Sequence, residues 1–221
     1  MAYSVVGIVN LALGKIGVGR ISSLTEDSEQ AIVANSILQY IRDEVLEAYD
    51  WKFATVRKAL VQSTIEPANF YSYAYPLPAD FLRLTTERRN DPRVYPNGVA
   101  YAAVYNITGN LLSQSTNYNY VIETLSDGTL CLFTDYDNTS QDIYITYIRR
   151  VTDPAKYSPS FVSAFAFRLA AEIAIPRTEG MKKYEAMMTL YQQALLRAKE
   201  LNQQLDYNAE TGNDDWESAG R

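Results

Sequence analysis

Three blocks of different periodicity follow one another along the 221 residues, and that order constrains the fold more than any single motif. Apolar residues recur at helical spacing up to Asp50. Tyr, Val, Ile and Thr punctuated by turn residues fill Trp51 to Thr152, and helical spacing returns from Ser158. A helix with one apolar stripe needs an opposing one, so the helices of the two chain ends are expected to pack together with the β block inserted between them. The expected class is α+β: a helical bundle from both termini, a Tyr-rich antiparallel β domain within it, and an extended C-terminal arm. The expected boundaries are 1–50, 51–152, 153–206 and 207–221.

Local signals place the elements. Ser4 caps a first helix over about residues 4 to 17, in which Val5, Val9, Ala12 and Ile16 share a face and Gly17 supplies a left-handed terminus. A second helix is expected just after Thr25, with Glu26, Asp27 and Glu29 at its positive end and Ala34, Ile37, Ile41, Val45 and Ala48 on one face. It should stop near Asp50. In the β block, Asp127-Gly128 reads as a two-residue turn between strands Tyr118–Ser126 and Thr129–Thr134, and Asn97-Gly98 as a second turn. The strand Asp142–Arg150 carries apolar side chains on both faces and is expected to be covered on both. Ser158-Pro159 caps a helix with the stripe Val162, Phe165, Leu169 and Ile173, stopped by Pro176. A last helix from Thr178 to Asp206, about 44 Å long, carries Tyr184, Met188, Tyr191, Leu195, Ala198 and Leu205 in steps of four and three, with Asn202 interrupting the row.

The chemistry available is narrow. There is no His, which removes the usual general base near neutral pH, the commonest metal ligand and every imidazole triad. Cys131 is the lone thiol, so no internal disulfide or multi-thiolate zinc site can form. A net charge of −6 argues against a basic nucleic-acid coat or a cationic membrane face. No apolar run approaches the ~20 residues that span a bilayer, and Met1–Lys15 lacks the pattern of a secretory signal, so a soluble, unexported protein is expected.

Motif fragments fail at defining positions. Gly17-Val-Gly19 has Ser22 where a dinucleotide loop needs its third glycine, and no strand precedes it. Asp135-Tyr-Asp137-Asn138 has Ser140 and Thr146 where a calcium loop needs Gly and Glu. No catalytic, cofactor or metal residue is assigned, although carboxylate pairing for glycoside chemistry is a matter of three dimensions. The 18 Tyr suit half-wet strands and interfaces. Arg83, Arg88, Arg89 and Arg93 form the densest basic stretch, fitted either to fixed contacts with carboxylates or to a solvated loop. Residues 206–221 hold five acidic side chains against Arg221, a local net of −4, with only Tyr207 and Trp216 to bury, so they should be disordered alone.

Both chain ends resemble one family. Asn10-Leu-Ala-Leu-Gly-Lys-Ile-Gly17, Ile21-Ser-Ser-Leu-Thr-Glu26 and Ser28-Glu-Gln-Ala31 resemble the N-terminal helical hairpin of tail tubular protein A, the head-to-tail adaptor of short-tailed bacteriophages. Arg42-Asp-Glu-Val-Leu46, Trp51-Lys-Phe-Ala54 and Tyr73-Ala-Tyr-Pro-Leu-Pro-Ala-Asp-Phe-Leu-Arg83 continue the resemblance, as does the pattern of Phe165–Ile175 before a long final helix. It is strongest over residues 1–85 and weakest in the β block. The resemblance implies a structural virion protein without enzymatic activity or cofactor. It would form a homododecameric ring in the neck of the virion, assembled in the host cytoplasm, between the capsid portal and the tail nozzle, with tail fibres a further partner and DNA passing through without specific binding. It also implies a portal-gripping arm, with Tyr207 and Trp216 as anchors and Asp214 and Asp215 steering toward a basic surface. Arg88, Arg89 and Arg93 are then expected at an inter-subunit or nozzle contact. A head-completion protein of a long-tailed phage, a Tyr-rich carbohydrate-binding module and a carboxylate-based hydrolase stay open as alternatives.

Overall fold

The computed structural model describes residues 3–67, 70–85, 104–106, 120–135, 143–176 and 180–210, with the backbone alone at 104–106 and 202–210. Among them are four α-helices, α1 (Val5–Lys15), α2 (Glu29–Glu47), α3 (Pro159–Ala174) and α4 (Gly180–Glu210), and seven strands. The fold is α+β. The chain divides into two units, a helical one of Met1–Phe53 with Val151–Arg221 and a β unit of Ala54–Arg150.

In the helical unit the caps are local chemistry. Ser4 Oγ accepts the Gly7 N–H at 3.0 Å, and α1 ends where Gly17, at φ 73°, lets the Val18 N–H reach Leu13 O at 2.9 Å. The second helix begins later than the acidic run after Thr25 suggests. Glu26 is drawn away from it: its carboxylate accepts Ser22 N–H, Ser22 Oγ and Ser28 Oγ, each at 2.7 Å, which closes the loop and leaves Ser28 as the cap. These hydrogen bonds, that from Ser22 Oγ foremost, hold the Glu26 pKa at about 2. Because the folded value lies below the ordinary 4.5, ionised Glu26 stabilises the native loop above pH ~4.5 and that contribution is lost as pH falls toward about 2. Glu26→Gln is therefore expected to flatten the acid limb of a urea-stability curve between those two pH values. An acid limb of unchanged slope would count against this role.

The central element is α3. Its expected stripe is buried, but so are Phe161, Ala164, Ala166, Ala170, Ala171 and Ala174, so most of the helix is covered and Ser163 is its one exposed side chain past the first turn. Helices α1, α2 and α4 each pack on it. The five alanines provide the reason, since small side chains let neighbouring helices approach on several sides at once. The two N-terminal helices thus meet through α3 more than as a self-contained hairpin. Gly180 opens α4 against the end of α3, where a Cβ would run into the carbonyl oxygens of Ala174 and Ile175. From there α4 runs 31 residues, about 46 Å, four residues beyond the expected stop at Asp206, so Tyr207 to Glu210 are helical and do not begin an extended arm.

Aromatic rings join the place where the chain leaves this unit to the place where it returns. Trp51 is 1% exposed and meets Phe161 edge-on at 5.1 Å, while its indole N–H donates to Val45 O at 2.8 Å. Phe53 packs on both Phe161 and Tyr157, at 5.2 and 5.8 Å between centroids.

The β unit consists of two antiparallel sheets. In one, β7 (Ile143–Arg149) is central: β1 (Thr55–Leu60) lies along one side, and β3 (Phe81–Leu84) and β4 (Val104–Asn106) share the other. Residues of β7 on both faces are buried, as its apolar pattern predicts. The second sheet has the order β2 (Tyr73–Pro76), β6 (Leu130–Thr134), β5 (Tyr120–Thr124). Leu60, Tyr75, Leu132, Ile143, Ile145 and Tyr147 form the core between the sheets. The β5–β6 connection is a three-residue loop, not the expected two-residue turn. Leu125 N–H pairs with Thr129 O at 2.8 Å, and only Gly128, at φ 89°, takes a positive φ, the arrangement of a turn followed by a bulge. The possible turn at Asn97-Gly98 lies outside the described residues.

Candidate interaction surface

Several Tyr side chains are structural and not wet. Tyr75 is fully buried, and Tyr147, Tyr157 and Tyr191 are each at most 6% exposed. The Tyr147 hydroxyl donates to Asp80 Oδ1 at 3.0 Å and that of Tyr157 to Val151 O at 2.8 Å. Burial, chiefly, pushes both phenols up to about 12. The expectation of half-wet Tyr strands is corrected at Tyr75 and Tyr147, whose rings are buried inside the β unit.

The charged feature that the sequence reading passed over is Arg168. It sits in α3, 7% exposed, with Nε on Glu44 of α2 at 2.9 Å and Nη1 on Glu172 at 2.5 Å. The two carboxylates outweigh burial and keep the guanidinium firmly charged. An Arg followed four residues later by Glu inside an otherwise apolar helix was the available signal. Two lysines perform similar work at the end of α1. Lys183 of α4 lies 3.4 Å from Ile16 O, and Lys15 places its ammonium 3.5 Å from the centre of the Phe167 ring. Burial lowers the Lys15 pKa.

The outward faces have a different character. On α2, Ile32 and Tyr40 are 59% and 70% exposed; on α4, Leu196 and Leu201 are 59% and 46% exposed. Single exposed apolar side chains of this kind are ordinary on a protein surface. The buried row of α4 is the expected one as far as side chains are described, with Tyr191 and Ala198 buried and Tyr184, Met188 and Leu195 half-buried.

The sequence-derived contact residues cannot be placed on these faces. Arg88, Arg89, Arg93, Asp214, Asp215 and Trp216 lie outside the described residues, and Tyr207 is placed only as part of α4. Of the calcium-like fragment, Asp135 accepts both the N–H and the hydroxyl of Ser72, and Thr146 is buried in β7. Among the described residues no cluster of His, Cys, Asp and Glu could hold a metal ion, and no helix is long and apolar enough to cross a membrane. Among the described residues the carboxylates whose proton affinity shifts, Glu26 and Asp127, both shift downward, as hydrogen-bonded loop residues do.

Compared with known proteins, the chain matches no family model and no curated sequence.

Proposed function

We propose that the protein is a structural adaptor of a short-tailed phage virion, one subunit of a dodecameric ring that joins the capsid portal to the tail nozzle and forms part of the DNA channel. The observation that carries this reading is the architectural work done by the residues of the family resemblance. Asn10 donates to Ile21 O and accepts Ile21 N–H, both at 2.9 Å; Gly17 ends α1; Glu26 closes the following loop; Ala31 and Trp51 are fully buried. A resemblance borne by such residues supports a shared N-terminal architecture, whereas one borne by solvated side chains would support nothing.

A net negative subunit suits a channel through which DNA slides without being held. Residues 207–221 are the proposed portal-binding segment, with Arg88, Arg89 and Arg93 at a subunit or nozzle contact. A subunit of charge −6 resists ring closure by itself, so the purified protein should be largely monomeric when dilute and should form rings on its portal. Electron microscopy of the protein alone and mixed with portal tests this directly. Deletion of residues 207–221 is expected to leave a folded monomer that no longer binds. Absence of any portal complex from the full chain at micromolar concentration removes the reading.

A further inference from the structure

Among the described residues β1 is an edge strand, paired with β7 and with no other strand. Such an edge presents backbone N–H and C=O groups to which a further extended segment can pair. At six residues β1 is of ordinary strand length, so shortness does not protect it.

The side chains along β1 alternate between the two faces of the sheet. Leu60, with Val56 packed beside it, belongs to the core that holds Tyr75, Leu132, Ile143, Ile145 and Tyr147. Lys58 stands between them on that same side and lies opposite buried Ile145 in the register, yet it is exposed. An apolar residue at this position would carry the core out to the edge. The lysine instead runs an aliphatic stem along the apolar rim and keeps its ammonium in water. A strand added beside β1 would close that rim and trap the charge against an apolar core. Arg57, on the opposite face, is exposed as well.

Self-pairing brings both charges into play. A second copy that continues the sheet antiparallel about a two-fold axis normal to it keeps the core side on the core side. A residue can then pair only with its own counterpart or with one an even number of positions away. The two registers that best overlap Thr55–Leu60 therefore set Lys58 opposite Lys58 or Arg57 opposite Arg57. Like charges directly opposite each other destabilise a strand pair. We infer that Arg57 and Lys58 guard the β1 edge, preventing a second copy of this chain from adding its own β1 to the sheet. The dimer they exclude is a two-fold one, distinguished by mass from a ring, so the inference does not depend on the adaptor reading.

The test is sedimentation velocity of the full chain from low to high micromolar concentration, with amide hydrogen exchange read over residues 55–60. Lys58→Val and Lys58→Thr both place strand-favouring residues at an exposed position, so the fold is kept, which circular dichroism checks. Each is expected to dimerise about tenfold more tightly than the parent, with slowed exchange over residues 55–60 in the dimer. The double variant Arg57→Thr, Lys58→Val should dimerise more tightly still. Lys58→Arg keeps the charge and should sediment as the parent does. Folded Lys58→Val and Lys58→Thr proteins that associate no more than the parent, association without new protection over residues 55–60, or equal association of Lys58→Arg overturns the inference.

Discussion

Trp51→Ala is expected to destabilise the helical unit by about 4 kcal/mol, the largest effect of any single truncation argued from this core. Three losses combine. The indole is 1% exposed, so its removal leaves a cavity that fixed helices cannot close. Its edge-on contacts with Tyr49 at 5.4 Å and Phe161 at 5.1 Å disappear, and so does the hydrogen bond that satisfies Val45 O at the end of α2. Trp51→Phe restores much of the volume and none of the hydrogen bond, so about 1 to 2 kcal/mol is expected for that variant. Thermal unfolding followed by far-ultraviolet circular dichroism reads the difference as a fall of roughly 10 °C for Trp51→Ala. A melting point within a degree or two of the parent would show that the aromatic cluster does not hold the chain's exit and return segments together.

The second large effect is expected at Arg168. Arg168→Met preserves length and apolar volume but leaves Glu44 and Glu172 facing each other without their shared cation. Removing one partner of a buried ion pair typically costs 3 to 5 kcal/mol, and the partial exposure of Glu44, 35% at the side chain, brings the expectation down to about 2 to 3 kcal/mol. Removing the whole network is a different matter, because an apolar replacement of an entire buried ionic group is often neutral. The triple variant Arg168→Met, Glu44→Met, Glu172→Met should therefore recover most of the loss. Urea titrations of the single and triple variants check both statements. A single variant as stable as the parent would mean that the guanidinium contributes nothing to joining α2 to α3.

Features governed by a few adjacent residues were legible in the sequence. The Ser4 cap, the left-handed Gly17 and the Ser158-Pro159 start follow from side-chain oxygens, backbone N–H groups and steric limits within one turn of chain. The two apolar faces of β7 announced a covered strand. Local chemistry also misled where two local solutions competed. Glu26 could have supplied charge to a helix beginning after Thr25, but three serine donors bound it and Ser28 capped instead. At Asp127-Gly128 one residue more entered the loop, since a single positive φ suffices when a bulge follows.

Sequence alone determined the class of each element, most of its limits, and the absence of imidazole and paired-thiol chemistry, because these depend on residue type and on neighbours within about four positions. Tertiary structure decided which elements are central. A stripe of Val162, Phe165, Leu169 and Ile173 states that α3 has an apolar face; only the arrival of three other helices buried Phe161, Ala164, Ala166, Ala170, Ala171 and Ala174 beside it. The same holds for Arg168, whose partner Glu44 is 124 residues away in sequence, and for Tyr147, whose hydroxyl meets Asp80 across 67. Burial of a polar group is tolerable only when such a partner is present, and periodicity records how often a side chain faces inward without recording what it will find there.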